Sequence, residues 1–206
     1  MTNKRNIACI GLMLVIIGLA LLSVGCRTFG SEYEYQGGLI DPPLPLPNFE
    51  LKDTNGHDFR LSDVEGDLAL IYFGYTYCPD VCPLTLWDIK KTLAELPDRE
   101  RIHVIFISVD PDRDTPEALA RYVHGFDPEF IGLTDDYQKI EPVLKSFGAF
   151  AEKAEMTDTE AGYLVNHTAR LFLVNPQGEL LLTYTFGFEP EALRRDLQHL
   201  LQAGAG

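Results

Sequence analysis

The sequence is short of positive charge. Its 206 residues include 17 Lys and Arg against 31 Asp and Glu, which gives a formal net charge of −14. An acidic chain repels the phosphate backbone of nucleic acids, and no local basic patch offsets that repulsion. The composition therefore argues against a nucleic-acid partner.

Cysteine is also scarce. The sequence shows no internal repeat either. Four cysteines are too few to frame a disulfide-rich small protein of this length. A hydrophobic fraction of 46% is too high for a disordered chain. The length leaves room for one domain with a sizeable core plus additional segments, so the cysteines have to be interpreted by their positions.

The N-terminal segment contains a long hydrophobic run. Residues 7–25 carry no charged side chain, and the run approaches the roughly 20 residues that a helix needs to cross a bilayer. A soluble helix of that length would show a polar face every three to four residues, and this run does not. Because Lys4 and Arg5 precede it, we expect a bacterial cell membrane location, with the remainder of the chain on the outer, periplasmic or extracytoplasmic face.

The end of the hydrophobic run resembles a bacterial lipoprotein signal. Cys26 follows a small residue and would become the lipidated N-terminus after cleavage, although Ser23 stands where a leucine is usual. Residues 1–26 are therefore interpreted as an uncleaved membrane anchor or as a lipoprotein signal segment. Both alternatives stay open at this point.

A proline-rich stretch separates this segment from the rest of the chain. Residues 27–47 show no helical or strand period and end in DPPLPLP, residues 41–47, which favours extended polyproline geometry. We therefore predict a Pro-rich tether over 27–47 and a folded domain over 48–206.

From residue 48 onward, apolar runs typical of strands alternate with segments of helical period. The predicted strands are Phe49–Leu51, His57–Leu61, Leu68–Tyr75, Ile102–Val109, Phe130–Leu133, Ala169–Val174 and Leu180–Phe186. Helices are predicted to begin near Pro83 and near Thr115, to cover about Tyr137–Phe147, and to run from Pro190 onward. Glu152–Gly162 is predicted to be a surface loop. This order predicts an α/β domain with a central mixed sheet and helices on both faces.

Two cysteines, Cys78 and Cys82, follow the first long strand and enter the first helix. Ligands and reactive groups gather at the carboxyl ends of strands in open α/β sheets, so both thiols lie where a site is expected. Cys82 directly precedes Pro83 near the start of the helix, where free amide groups favour a thiolate. The spacing suits a disulfide or a shared soft metal, whereas zinc would need a second cysteine pair and a purely stabilising disulfide would close a very small loop.

The longer motifs carry a family resemblance. They are Tyr72–Pro83, Ser108–Pro116, Val165–Thr168 and Leu173–Gly178. Together they resemble the Sco/SenC proteins, which are membrane-tethered, thioredoxin-like copper chaperones for assembly of the binuclear copper centre of cytochrome c oxidase. The resemblance covers roughly residues 45–203 and keeps the same motif order.

The resemblance implies that copper is held by the thiolates of Cys78 and Cys82 and by an imidazole nitrogen of His167. Thiolates select Cu(I) and imidazole serves both Cu(I) and Cu(II), so the set suits copper in either oxidation state. The implied partners are the copper-bearing subunit of cytochrome c oxidase and other periplasmic copper chaperones or thiol reductants. One departure from the family pattern is Asn166, where an aspartate is expected.

Other functions remain open from the residues alone. Cys78 and Cys82 would also serve a thiol-disulfide reductase that keeps the copper-ligating cysteines of the oxidase subunit reduced. A peroxidase or redox sensor fits the fold class but lacks a distinct peroxidatic signature. The interpretation favoured here is a metallochaperone rather than an enzyme, with thiol-disulfide oxidoreductase activity as the alternative.

An acidic run, Asp110, Asp112 and Asp114, follows the second long buried strand. Its simplest interpretation is a strand-to-helix turn in which Asp114 or Thr115 caps the helix. Asp110 is also kept as a candidate neighbour of the copper ligands, with a role in docking or redox tuning.

Overall fold

The structure, a computed structural model, describes residues 33–154 and 162–204. The predicted membrane segment, residues 7–25, and the candidate lipidation site Cys26 lie outside the described residues. Among those that are described, no helix combines the length and the apolar character needed to span a bilayer.

The observed elements follow the predicted alternation closely. The strands are β1 (Gly38–Pro45), β2 (Glu50–Asp53), β3 (Asp58–Arg60), β4 (Leu68–Gly74), β5 (Ile102–Ser108), β6 (Ile131–Thr134), β7 (Ala151–Lys153), β8 (Val165–His167), β9 (Arg170–Val174) and β10 (Glu179–Thr185). The α-helices of the described ranges are α1 (Val81–Ala94), α2 (Pro116–Phe126), α3 (Tyr137–Ser146) and α4 (Pro190–Ala203).

An eight-stranded sheet in the order β1-β10-β9-β4-β5-β6-β2-β3 forms the centre of the domain. β4 pairs in parallel with β5, and β5 with β6, whereas the remaining neighbours are antiparallel. Every residue of β4 is buried, which explains why this strand reads as a continuous apolar run rather than as an alternating one. The predicted α/β fold with a central mixed sheet flanked by helices is confirmed.

The predicted tether is wrong for residues 38–45, because they form the edge strand β1. Gly38 pairs with Thr183 of β10, and the register shifts after Leu39 before pairing resumes at Leu44. Proline cannot donate to a strand ladder, but an edge strand has one side that needs no ladder bonds. The proline-rich composition is therefore compatible with a strand at this position, and the folded domain begins before residue 48.

The predicted surface loop Glu152–Gly162 is wrong at its start, where β7 covers 151–153 and pairs antiparallel with β8. β7 has only three residues, and two of them are exposed, so it offers no apolar alternation to read. This hairpin forms a separate two-stranded sheet, outside the eight-stranded one. Residues 155–161 lie outside the described ranges.

A buried carboxylate on α4 fastens the segment that precedes β1. Asp196 is fully buried and accepts the backbone N–H of Gln36 at 3.0 Å and that of Gly37 at 2.9 Å. The same carboxylate accepts the hydroxyl of Tyr184 at 2.7 Å. A buried charge that gathers several donors is well compensated, so this contact fixes where the chain enters the fold.

We expect Asp196→Ala to lower the free energy of unfolding by about 2 to 3 kcal/mol, because the buried hydroxyl of Tyr184 and the N–H groups of Gln36 and Gly37 lose their acceptor. Urea denaturation of the variant and the parent measures the difference. The matched control is Glu65→Ala, an exposed acidic residue whose removal is expected to change stability by less than about 0.5 kcal/mol. Equal stabilities of the two variants would contradict the assignment.

Candidate metal centre

The cysteine loop connects the end of β4 to the start of α1. Cys78 lies in this loop and is half-buried, and Cys82 lies in the first turn of α1 and is fully buried. The first turn of a helix has backbone N–H groups without helical partners. One of them, that of Cys82, donates to the Sγ of Cys78 at 3.4 Å, so the helix start itself stabilises negative charge on that sulfur.

A glycine at the end of β4 makes room for the buried thiol. A Cβ placed on Gly74 would lie 2.8 Å from the ring of Phe106 and 3.0 Å from the Sγ of Cys82. Real Cβ atoms essentially never come within 3.0 Å of another atom, as the contact with Phe106 would require, and the contact with Cys82 would be tighter than nine in ten real Cβ contacts. The close approach of Cys82 to the strand therefore depends on the absence of a side chain at this position.

His167 reaches the cysteines from the β7–β8 hairpin. Its Nε2 lies 3.6 Å from the Sγ of Cys82, and its Nδ1 lies 3.3 Å from the carbonyl oxygen of Thr168. A carbonyl can only accept, so Nδ1 carries the proton and Nε2 presents its lone pair to the cysteines. The rings of Tyr72 and Tyr75 meet the imidazole edge to face, with centroids at 6.2 and 5.8 Å.

The structure thus brings together the three side chains predicted as metal ligands. One sulfur of Cys78, one sulfur of Cys82 and one imidazole nitrogen of His167 all lie within 4.8 Å of one another. Two soft sulfur donors and one imidazole suit a soft metal such as Cu(I), and imidazole also serves Cu(II). An open cleft of about 590 Å³, lined by Cys78, Phe150, Leu164 and His167 among others, gives access to the group from solvent.

The two thiols have opposite acidities. The pKa of Cys78 is lowered, chiefly because the Cys82 thiol donates a hydrogen bond to its sulfur, with further support from backbone N–H groups. The pKa of Cys82 is raised by the same pairing with Cys78 and by burial. The metal-free site therefore holds its negative charge on the accessible sulfur and its proton on the buried one.

Tyr72 is a further site residue that the sequence motifs did not single out for chemistry. Its side chain is fully buried in β4, and its hydroxyl lies 4.0 Å from the Sγ of Cys82. Burial raises the pKa of this phenol, so it stays protonated and acts as a donor. A glycine closing a buried strand could have signalled a close approach at Gly74, but nothing in the spacing pointed to Tyr72.

Asp110, predicted as a neighbour of the copper ligands, has Arg113 and Tyr163 as the hydrogen-bond partners of its carboxylate. Its carboxylate is fully buried and accepts hydrogen bonds from the Nε of Arg113 and, at 2.6 Å, from the hydroxyl of Tyr163. Both of its oxygens are therefore engaged by protein groups.

The helix cap that was predicted at Asp114 or Thr115 is formed by Thr115, whose hydroxyl accepts the N–H of Ala118 at 3.2 Å. Asp114 instead binds the cysteine loop to β5. Its buried carboxylate accepts the hydroxyl of Thr76 at 2.6 Å and that of Ser108 at 2.7 Å. Burial raises the pKa of Asp114.

Asn166, where an aspartate was expected, is exposed on the face of β8 opposite to that of its neighbour His167, since successive strand residues alternate. It nevertheless lines the cleft that Cys78 and His167 share.

Comparison with known proteins gives a consistent result. A protein-family model described as SCO1/SenC matches residues 41–202. An SCO2-like protein of Rickettsia conorii is 31% identical over 201 residues, which is 96% of this chain and 98% of the relative.

Solved structures are similar over most of the chain. Apo Sco1 of Thermus thermophilus has a TM-score of 0.74 at 37% identity, covering 83% of this chain and 99% of its own. Bradyrhizobium japonicum ScoI, solved with copper bound, has a TM-score of 0.68 at 36% identity, covering 76% and 99%. BsSco, described as a member of a family of cytochrome c oxidase assembly proteins with a disulfide switch, has a TM-score of 0.60 at 25% identity, covering 78% and 96%. The predicted thioredoxin-like fold class is confirmed by these neighbours.

The lowered pKa of Cys78 leads to a test by alkylation of the reduced protein. For an ordinary thiol with a pKa of about 8.5, the fraction present as thiolate falls about tenfold for each pH unit below that value. We expect iodoacetamide to modify Cys78 at a nearly constant rate between about pH 8 and pH 6. Peptide mass mapping measures the extent of modification at this cysteine. In Cys82→Ala the rate at Cys78 should fall with pH, because the lost thiol donor no longer holds the pKa down. A steep fall in the parent would contradict the assignment.

The contact at Gly74 leads to a second test. We expect Gly74→Ala to lower the free energy of unfolding by about 1 to 3 kcal/mol, because the added methyl overlaps Phe106 and Cys82. Gly125→Ala in α2 is the matched control, since a Cβ there meets nothing within 4 Å and should stabilise the helix by up to about 1 kcal/mol. The same sign of change for both variants in urea denaturation would rule out the steric argument.

Proposed function

The chain belongs to the SCO1/SenC family, and from that membership we propose that it is a copper chaperone that serves assembly of the binuclear copper centre of cytochrome c oxidase. The proposed ligands are Cys78, Cys82 and His167. The observation that carries the proposal is the convergence of their sulfur and nitrogen atoms to within 4.8 Å. It is supported by the copper bound to the Bradyrhizobium relative and by the role in oxidase assembly described for BsSco.

The site suits a carrier that binds copper and releases it. Three donors hold Cu(I) and tolerate Cu(II), whereas a closed four-ligand cage would retain its metal. Cys82 forms the inner side of the site, and Cys78 and His167 line the cleft. An incoming ligand of the recipient can approach from the cleft and displace one of these two ligands first, so transfer can proceed by exchange of one ligand at a time.

The proposed recipient is the copper-bearing subunit of the oxidase. Other periplasmic copper chaperones supply the copper, and thiol reductants keep the cysteines reduced. Residues 1–26 are proposed to hold the protein at the bacterial cell membrane, as an anchor or through lipid on Cys26, with the domain on the outer face. That arrangement keeps the chaperone in the same membrane as an integral recipient.

A second function is favoured by the unequal acidities of the cysteines. In a thiol-disulfide reductase, the thiolate of Cys78 would attack a disulfide of the recipient, form a mixed disulfide and release one recipient thiolate. Cys82 would then lose its proton to His167 and attack the Cys78 sulfur. The products are a recipient dithiol and a Cys78–Cys82 disulfide, which can no longer bind copper.

Copper titration tests the chaperone. We expect the reduced full-length protein, with Cys9 and Cys26 replaced by serine to remove competing thiols, to bind one equivalent of Cu(I) against a chromophoric competitor. His167→Ala should weaken binding by at least about tenfold, because the site loses its imidazole donor. His103→Ala is the matched control, since that imidazole faces Asp67 at 3.1 Å at the start of β5.

The outcomes separate the two functions. Unchanged affinity in His167→Ala would reject this residue as a ligand. Failure of the parent to bind copper, together with reduction of an oxidised recipient subunit, would reject the chaperone in favour of the reductase.

A further inference from the structure

The guanidinium of Arg113 lies among segments that carry both halves of the proposed copper site. Arg113 belongs to the turn between β5 and α2, and its side chain is only 15% exposed. Its Cζ lies 4.9 Å from the ring centre of Tyr77 and 5.7 Å from that of Tyr75, both in the cysteine loop. One cation therefore contacts the loop that presents Cys78.

The same guanidinium holds the chain just before β8. It stacks on the ring of Tyr163 with its Cζ 3.6 Å from the ring centre, and its Nη1 donates to the carbonyl oxygen of Tyr163 at 2.9 Å. Asp110 completes the arrangement, because it accepts from the Nε of Arg113 and from the hydroxyl of Tyr163. Tyr163 is thus held by its ring, its carbonyl and its hydroxyl, and the strand that carries His167 begins two residues later.

The strand that carries His167 lies outside the main sheet of the domain. β8 has three residues and pairs with the equally short β7, and neither belongs to the eight-stranded sheet. Cys82, by contrast, is fixed by α1 and by the buried end of β4. The distance from His167 to the cysteines therefore depends on how the hairpin is attached to the core.

We propose that Arg113, acting with Asp110, is a positioning residue for the copper site: it clamps Tyr163 and thereby holds the imidazole of His167 at ligand distance from Cys78 and Cys82. This inference rests on the proposed copper function, because it concerns how the same ligands are aligned. The planar fork of an arginine can stack and donate at once, which a lysine ammonium cannot do.

A double-mutant cycle tests the coupling between Arg113 and His167. Cu(I) affinity is measured for the parent, Arg113→Gln, His167→Ala and the double variant, all full-length and with Cys9 and Cys26 replaced by serine. We expect Arg113→Gln to weaken copper binding by about 10- to 100-fold in the parent background. In the His167→Ala background it should have almost no effect, because the ligand that it positions is already missing.

The Cu(II) form gives a readout that lost stability alone would not change. We expect the nitrogen hyperfine coupling of His167 in the electron paramagnetic resonance spectrum to weaken or vanish in Arg113→Gln. Arg99→Gln is the matched control, since Arg99 also pairs with a largely buried aspartate, Asp127 at 3.0 Å, and should leave affinity and spectrum unchanged.

The results distinguish this inference from the proposed function. Absence of copper binding in the parent rejects the function itself. The positioning role is overturned if Arg113→Gln leaves the copper affinity unchanged. It is also overturned if this substitution weakens copper binding equally in the parent and in the His167→Ala background. If Arg113→Gln fails to fold, Tyr163→Phe removes only the hydroxyl bonded to Asp110. The same cycle then applies, with a smaller loss expected in the parent background and none in the His167→Ala background.

Discussion

The candidate site depends on one close approach, the 3.6 Å between the Nε2 of His167 and the Sγ of Cys82. The two residues come from elements of unequal rigidity. Cys82 belongs to the first turn of α1, packed on the buried end of β4, whereas His167 lies on a three-residue strand outside the main sheet. Two surrounding residues help to preserve this distance. Gly74 does so by leaving space for the sulfur, and Tyr72 by contacting both the sulfur and the imidazole.

The central part of the fold could be predicted because its signals are local. Leu68–Gly74 is a continuous apolar run that needs no knowledge of its neighbours to be recognised as a buried strand. The edge strand Gly38–Pro45 could not be recognised in that way. Its composition favours an extended chain, and only pairing with β10, which lies far along the sequence, makes it a strand. The short hairpin strands β7 and β8 are likewise defined by their partners rather than by their own sequences.

Site residues that are close together in the sequence could be predicted from it, whereas those brought together only by the fold could not. Cys78 and Cys82 share one loop after a buried strand, so their proximity follows from the sequence. His167 was assigned through the family resemblance, because nothing in its own segment indicates that it meets the cysteines. Asp114 shows the limit of local patterns: its position fits a helix cap, but the neighbouring Thr115 takes that role and leaves the carboxylate to bind Thr76 and Ser108.

The distribution of one proton links the two proposed chemistries. In the metal-free site the accessible sulfur of Cys78 carries the charge, and the buried sulfur of Cys82 keeps a proton that it donates to Cys78, with the Nε2 of His167 3.6 Å away. As a reductase, the protein would use that nitrogen as the base that releases the buried thiol. As a copper carrier, it would use the same lone pair as a ligand, so the proton must leave to solvent when copper enters. One lone pair cannot serve both purposes at once. A molecule that carries copper is therefore unable to exchange disulfides, and one that holds the disulfide is unable to accept copper.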